Sequence, residues 1–268
     1  MPNSTELANR IRQILDRGRT AALVTVVESS TAKPAVGAKM TVLDDGETFG
    51  GFGDATLDEY VVRESQVFLN SREASKVLHA SMTEALPAAK ILFERIEAEP
   101  RLVIAGAGHV GASLARFAAI AGFRVTLIDD RGEFVDRNLF SSAHEESIEL
   151  EKADDWQEAM RDAVGNGRGV AVAIVTRGHK QDEECLRATL IAKPDYVGMI
   201  GSKRRTNIVL EKMREEGAEE NELKRVRAPI GLDIGAVSPE EVALAILAEI
   251  VAERHGGTGA PLSSWRRL

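Results

Sequence analysis

Residues 101–131 read RLVIAGAGHVGASLARFAAIAGFRVTLIDDR. A short apolar run, Leu102 through Ile104 and Ala105, leads into Gly106, Gly108 and Gly111 at the GxGxxG spacing. Apolar residues then return at helical period as Val110, Leu114, Phe117 and Ala121. This pattern predicts a strand, a tight turn and a helix in succession. Gly122 ends the helix, Val125, Thr126, Leu127 and Ile128 make a second strand, and Asp129 closes it. The three glycines have different expected roles. Gly106 permits the turn, Gly108 presents no Cβ to an approaching pyrophosphate, and Gly111 lets the helix lie close on the strand. Free N–H groups at a helix start face an anion. A carboxylate at the tip of the second strand accepts hydrogen bonds from ribose hydroxyls and repels a 2′-phosphate, so an unphosphorylated ribose is favoured. The competing reading is a glycine turn kept for packing alone, since a fold by itself establishes no ligand.

Working outward, 268 residues suit two domains, because single cores stop growing near ~250–300 residues. Hydrophobic residues make up 44% of the chain, and 34 basic against 42 acidic residues leave a net charge of −8. That balance argues against nucleic acid as the main partner, so anionic ligands must be met by local sites. No apolar run approaches the ~20 residues of a membrane span, and the expected location is the cytoplasm, with no membrane partner. Cys185 is the single cysteine. It fits a reducing compartment and, among Glu184, Leu186 and Arg187 on an expected helix, is read as a structural thiol.

Before the glycine turn, Leu7, Ile11, Ile14 and Leu15 share one helical face and Gly18 is a stop signal. Residues 21–27 and 40–43 read as strands, and Asp44, Asp45 and Gly46 as a hairpin turn leading to Thr48 and Phe49. Two glycine-containing loops, residues 29–37 and 50–58, are candidates for shaping one pocket. Residues 57–69 look helical, and Ile91, Leu92, Phe93 and Ile96 suggest a further helix. The resulting expectation is a small N-terminal α/β domain over residues 1–80, a linker at 81–100, the Rossmann-like parallel-sheet domain at 101–255 and a tail at 256–268.

Beyond Asp130 the chain is polar and mixed to residue 155, with a short run at 147–150 that reads as a third strand. Residues 170–175 are continuously apolar, as a parallel strand buried on both faces should be. His179 lies in the loop after it, and ligands of open parallel sheets bind beyond the carboxyl ends of strands. Another strand, residues 196–200, runs into Gly201, Ser202, Lys203, Arg204 and Arg205. Cations at a helix start oppose the helix dipole unless an anion sits between them, and a solvated basic turn is the alternative. Residues 228–235 form an apolar loop, and Ser238, Pro239 and Glu241 make a capping box before a helix over 242–254. His109 and His179 are candidates for a proton-transfer pair or for hydrogen bonds to backbone or phosphate. A metal site would need about three or four ligands, and only Asp130 or Asp182 could complete one with these two histidines, so no metal site is expected.

Several blocks in order, VIAGAGHVG (103–111), VTLIDDR (125–131), VTRGHKQD (175–182), YVGMIGSKRR (196–205), APIGLDIGA (228–236) and SPEEVALAILAEI (238–250), resemble the XdhC/CoxI family of accessory factors for xanthine and carbon monoxide dehydrogenases. The N-terminal likeness is looser and rests on VTVVESS (24–30), VGAKM (36–40) and residues 50–58. There the family usually shows three glycines, a cysteine or small residue, and an acid two positions on. Here residues 53–58 read GDATLD without the cysteine, so no role of that thiol is carried over.

The resemblance implies a homodimeric maturation factor, without turnover of its own, that binds the molybdenum cofactor (molybdopterin). Such a factor would support sulfuration of the cofactor by a cysteine desulfurase and deliver it to a molybdenum hydroxylase apoenzyme of the xanthine dehydrogenase type. The candidate cofactor-binding set is Gly106, Gly108, His109, Gly111, Asp129, Asp130, His179, Gly201, Ser202 and Lys203. Two alternatives stay open at this point. One is an oxidoreductase using NAD or another dinucleotide with an unphosphorylated ribose, and the other is an interaction module whose nucleotide site is empty.

Overall fold

A computed structural model describes residues 4–16, 19–71, 73–80 and 89–263. The chain divides into two compact units, Met1–Ala98 and Glu99–Leu268.

The first unit begins with α1 (Ser4–Asp16), whose Ile14 is buried against Ala21 and Leu43. The expected stop at Gly18 lies outside the described residues. An antiparallel sheet follows, built from β1 (Ala21–Ser29), β2 (Lys39–Leu43), β3 (Thr48–Gly50), β4 (Ser75–Ala80) and β5 (Ala89–Ile96) in the order β3-β2-β1-β5-β4. The Asp44–Gly46 turn forms as anticipated, with Gly46 at φ +87° and the Asp45 carboxylate accepting from the Glu47 N–H at 2.9 Å. Helix α2 (Ala55–Leu69) starts at Asp54, whose side chain accepts from the Leu57 N–H at 3.0 Å. It buries Leu57, Val61 and Phe68 among Val24, Val26, Val42 and Phe93.

The helix expected from Ile91, Leu92, Phe93 and Ile96 is instead β5, paired with β1 on one side and β4 on the other. Its apolar residues are consistent with either period over so short a run. Burial settles on two: Ala89, Ile91 and Phe93 face the core while Lys90, Leu92 and Glu94 are only half-buried. Part of the stretch anticipated as linker is therefore a sheet strand, and residues 81–88 of it lie outside the described residues.

The second unit holds a parallel sheet of β6 (Arg101–Ala105), β7 (Arg124–Asp129), β8 (Ile148–Lys152), β9 (Val170–Ile174) and β10 (Tyr196–Met199), ordered β10-β9-β6-β7-β8. Alternate residues of β6 enter opposite cores. Leu102 and Ile104 pack with Leu114 of α3 (His109–Ile120) and Ile246 of α8 (Pro239–His255). Val103 packs instead with Met160 of α4 (Trp156–Val164), Leu186 of α5 (His179–Ala192) and Val209 of α6 (Lys203–Glu215). A short α7 (Glu220–Arg225) precedes the loop to α8. All five residues of β9 are buried, which explains its unbroken apolar run.

Sequence reasoning did not identify α4. Its signature was present, since Asp155 caps the Glu158 N–H at 2.9 Å and Trp156, Ala159, Met160, Ala163 and Val164 fall on one buried face. The capping box of α8 formed as expected, with Ser238 and Glu241 each serving the other's N–H. Because β7 and β8 extend from one side of β6 while β9 and β10 extend from the other, the strand order reverses between β6 and β9. That topological switch point is where parallel sheets open a crevice at their carboxyl ends.

Candidate functional site

A crevice of about 390 Å³ lies at this switch point. Its floor is the turn from β6 to α3. Gly106 sits at φ +108°, and a Cβ there would come within 2.6 Å of the Val175 carbonyl oxygen. A Cβ on Gly111 would lie 1.8 Å from the Gly106 carbonyl oxygen, so both glycines are required by packing. Gly108 differs. It adopts φ −63°, open to any residue, and a Cβ there would meet nothing within 4 Å. It is the N-cap of α3 and, having no side chain, leaves the helix's first N–H groups uncapped. Helix α5 likewise starts at a glycine, Gly178, without a side-chain cap.

Three arginine–aspartate pairs surround the crevice. Asp129, 2% exposed, accepts from the Ala107 N–H at 2.7 Å, from the Arg131 N–H at 3.0 Å, and from the Arg131 guanidinium at 2.8 and 3.0 Å. Burial pushes this carboxyl up, but the Arg131 and backbone donors together outweigh burial and hold it below the usual carboxylate range. Asp130 accepts from the Arg177 guanidinium at 2.9 Å. Asp182, fully buried, accepts from the Thr176 hydroxyl at 2.5 Å and from Arg205 Nε at 3.0 Å, with a second Arg205 nitrogen also in contact. Here burial prevails, raising the Asp182 carboxyl despite those donors. The basic start of α6 is thus partly compensated within the protein, since Arg205 pairs with Asp182 and Ser202 caps the Arg205 N–H.

Of the candidate residues, Gly106, Gly108, His109, Asp129, Asp130 and Gly201 line the crevice. Gly111 lies beneath the turn against Gly106 and Val175. His179, Ser202 and Lys203 are exposed and are not among the lining residues, so the crevice presents His109 without His179. The structure adds Arg131, Trp156, Thr176, Arg177, Gln181 and Arg205 to the wall. Trp156 was missed together with α4. The arginines stand inside the blocks that carry the family resemblance, and nothing in their spacing signalled a shared crevice.

The 228–235 loop places Ile230 in the core and leaves Ile234 exposed, while Pro239 just beyond it reaches the crevice. Cys185 is buried, and burial raises its thiol well above the usual value, as suits a packing residue. Among the described residues no three His, Cys, Asp or Glu side chains are grouped to hold a metal ion, and no helix is long and apolar enough to cross a membrane.

In the N-terminal unit, the loop at residues 50–58 is held by its own acids. The Phe52 N–H donates to Asp58 Oδ1 at 2.8 Å, and Phe52 itself is buried.

Comparison with known proteins gives two family matches: residues 102–250 match the XdhC Rossmann domain, and residues 14–80 match the XdhC and CoxI family. The uncharacterized protein YqeB of Escherichia coli (strain K12) is 29% identical over 89% of this chain and 44% of its own length. A probable xanthine dehydrogenase subunit from Bacillus subtilis (strain 168) is 26% identical over 91% of this chain and 64% of its own. This chain therefore spans less than two thirds of either relative. The molybdenum cofactor insertion chaperone PaoD of Escherichia coli (strain K12) is 33% identical over 31% of this chain and 26% of its own. Among solved structures, a xanthine dehydrogenase from Bacillus halodurans superposes with TM-score 0.52 and 17% identity, covering 96% of this chain and 98% of that one. At that identity the likeness is one of fold.

Proposed function

This chain belongs to the XdhC and CoxI family, and from that premise we propose that it is a maturation factor for a xanthine dehydrogenase-type molybdenum hydroxylase. In this reading it retains the molybdenum cofactor in the crevice of its C-terminal unit, supports sulfuration of that cofactor by a cysteine desulfurase, and hands it to the apoenzyme. It acts in the cytoplasm as a homodimer. The insertion-chaperone name of one relative supports the cargo.

The observation that carries the proposal is Gly108. Neither backbone conformation nor packing requires a glycine there, yet the position lines the crevice on an uncapped helix start. A phosphate resting on that start would use the empty space that a side chain would fill. The donor set also fits an anionic pterin phosphate, because Arg177, in the loop after β9, and Arg205, in the first turn of α6, both line the crevice. The cargo supplies the oxo-transfer chemistry of the hydroxylase, while this chain's residues bind, orient and release it. An open crevice suits a hand-over, and Arg177 keeps donors beyond the one amino group it gives to Asp130.

The test mixes folded Gly108→Leu protein with a molybdenum cofactor source and apo-hydroxylase. Loss of bound molybdenum and of recovered hydroxylase activity, with stability nearly unchanged, is the expected result. Wild-type levels of both would make the turn structural and would move the cofactor to the N-terminal loops at residues 29–37 and 50–58. A monomer mass by light scattering at micromolar concentration would remove the dimer from the proposal.

A further inference from the structure

We infer that Asp129 is a positioning residue that holds the glycine turn rather than a reader of the ligand's ribose, so that the crevice recognises an anionic phosphate group and is indifferent to the sugar hydroxyls beyond it. The inference rests on the crevice being the ligand site proposed above and narrows what that site selects.

An ionised carboxylate offers about four acceptor positions, two on each oxygen. At Asp129 all four are taken. Oδ2 accepts from the Ala107 N–H at 2.7 Å and Arg131 Nη2 at 3.0 Å, and Oδ1 accepts from the Arg131 N–H at 3.0 Å and Arg131 Nε at 2.8 Å. Reading a ribose diol needs two free acceptors, so the diol would have to displace the Arg131 guanidinium. That guanidinium is itself held, lying 3.8 Å above the Phe134 ring. The Ala107 N–H belongs to the residue between Gly106 and Gly108. Anchoring it fixes the turn from β6 into α3, so the carboxylate acts on the ligand only through the shape of the phosphate cradle.

Asp130, the other acid at the tip of β7, is paired as well, to Arg177 at 2.9 Å. Arg177 uses one amino group in that pair and is 48% exposed at the crevice, which leaves further donors for an anion. Both acids on the side where dinucleotide sites present a free acid are therefore matched by an arginine, Asp129 by Arg131 and Asp130 by Arg177. Phosphate monoesters and diphosphates fit this arrangement whether or not a nucleoside follows, so a pterin phosphate and its nucleotide-extended form would be held alike.

The experiment measures dissociation constants of ADP, 2′-deoxy-ADP and inorganic pyrophosphate for the wild-type protein, and melting temperatures of ligand-free wild type, Asp129→Asn and Arg131→Gln. ADP and 2′-deoxy-ADP should bind within about twofold of each other, whereas losing a hydrogen bond to a charged acceptor would cost about tenfold or more. Ligand-free Asp129→Asn should melt at least ~4 °C below wild type. If that variant does not fold, Arg131→Gln, which keeps the Asp129 link to Ala107, carries the test. It should lower the melting temperature and leave the ratio of the two nucleotides near one. A tenfold preference for ADP, or an Asp129→Asn protein with unchanged melting temperature and weakened ADP binding, would overturn the inference. Failure of all three probes to bind wild type, with Asp129→Asn still destabilised, would instead remove the crevice as an anion site while the turn-holding role stands.

Discussion

The loop at residues 50–58 and the turn at residues 106–111 both look, as strings, like glycine-rich ligand loops, and they are built on different physics. In the N-terminal loop Gly50 and Gly53 take φ +88° and +77°, so glycine is needed for the backbone. Two of its N–H groups are then satisfied from within, Phe52 by Asp58 and Leu57 by Asp54. In the C-terminal turn two glycines are demanded by packing, and the third, Gly108, has an ordinary φ and empty space where its Cβ would be. Glycine content alone therefore does not distinguish a closed loop from an open cradle. The distinguishing mark is a glycine that the protein's own structure does not need.

Three substitutions sharpen or break that contrast. The largest effect is expected at Gly111→Ala, where the new Cβ would be 1.8 Å from the Gly106 carbonyl oxygen and only movement of backbone, in the turn or in α3, relieves it. Destabilisation beyond about 3 kcal/mol is expected by denaturant unfolding, above the usual cost of overpacking because backbone rather than a side chain must yield. A wild-type midpoint would show that the turn is more plastic than its geometry implies. Next is Asp58→Ala, which strands the N–H of a buried residue and should cost about 1–3 kcal/mol. No loss there would mean that the N-terminal loop is not held by its own acid. The smallest is Gly108→Ala, expected to change stability by less than about 1 kcal/mol, because alanine is a poorer N-cap than glycine but meets no neighbour. A loss as large as that of Gly111→Ala would give Gly108 a packing role and dissolve the argument for a cradle.

The legible parts of the chain were those whose signal is local. The GxGxxG turn, the unbroken apolar run of β9, the Asp44–Gly46 turn and the Ser238–Glu241 capping box each follow from residues within a few positions of one another, and each formed where expected. Helix α4 was equally local in its Asp155 cap and apolar spacing. It lay within reach of the same rules, behind a long polar stretch that carries no periodic signal of its own.

Other features depended on partners far along the chain. Ile91 and Phe93 are compatible with a helix until β1 and β4 flank them, because strand pairing supplies hydrogen bonds that no local pattern encodes. Asp129 carried the right type and position for a ribose acid, yet its four acceptor positions are taken by Ala107 and Arg131, and only folded geometry shows that. Arg177 and Arg205 meet at one crevice because β9 and β10 run parallel and side by side, so their carboxyl ends open together. By itself, then, the sequence determined the parallel α/β unit, its glycine turn and its family, all written in short-range spacing. The tertiary structure alone decided which glycine faces open space, which acid is already engaged and which cations line the crevice, because each depends on what a distant strand brings within reach.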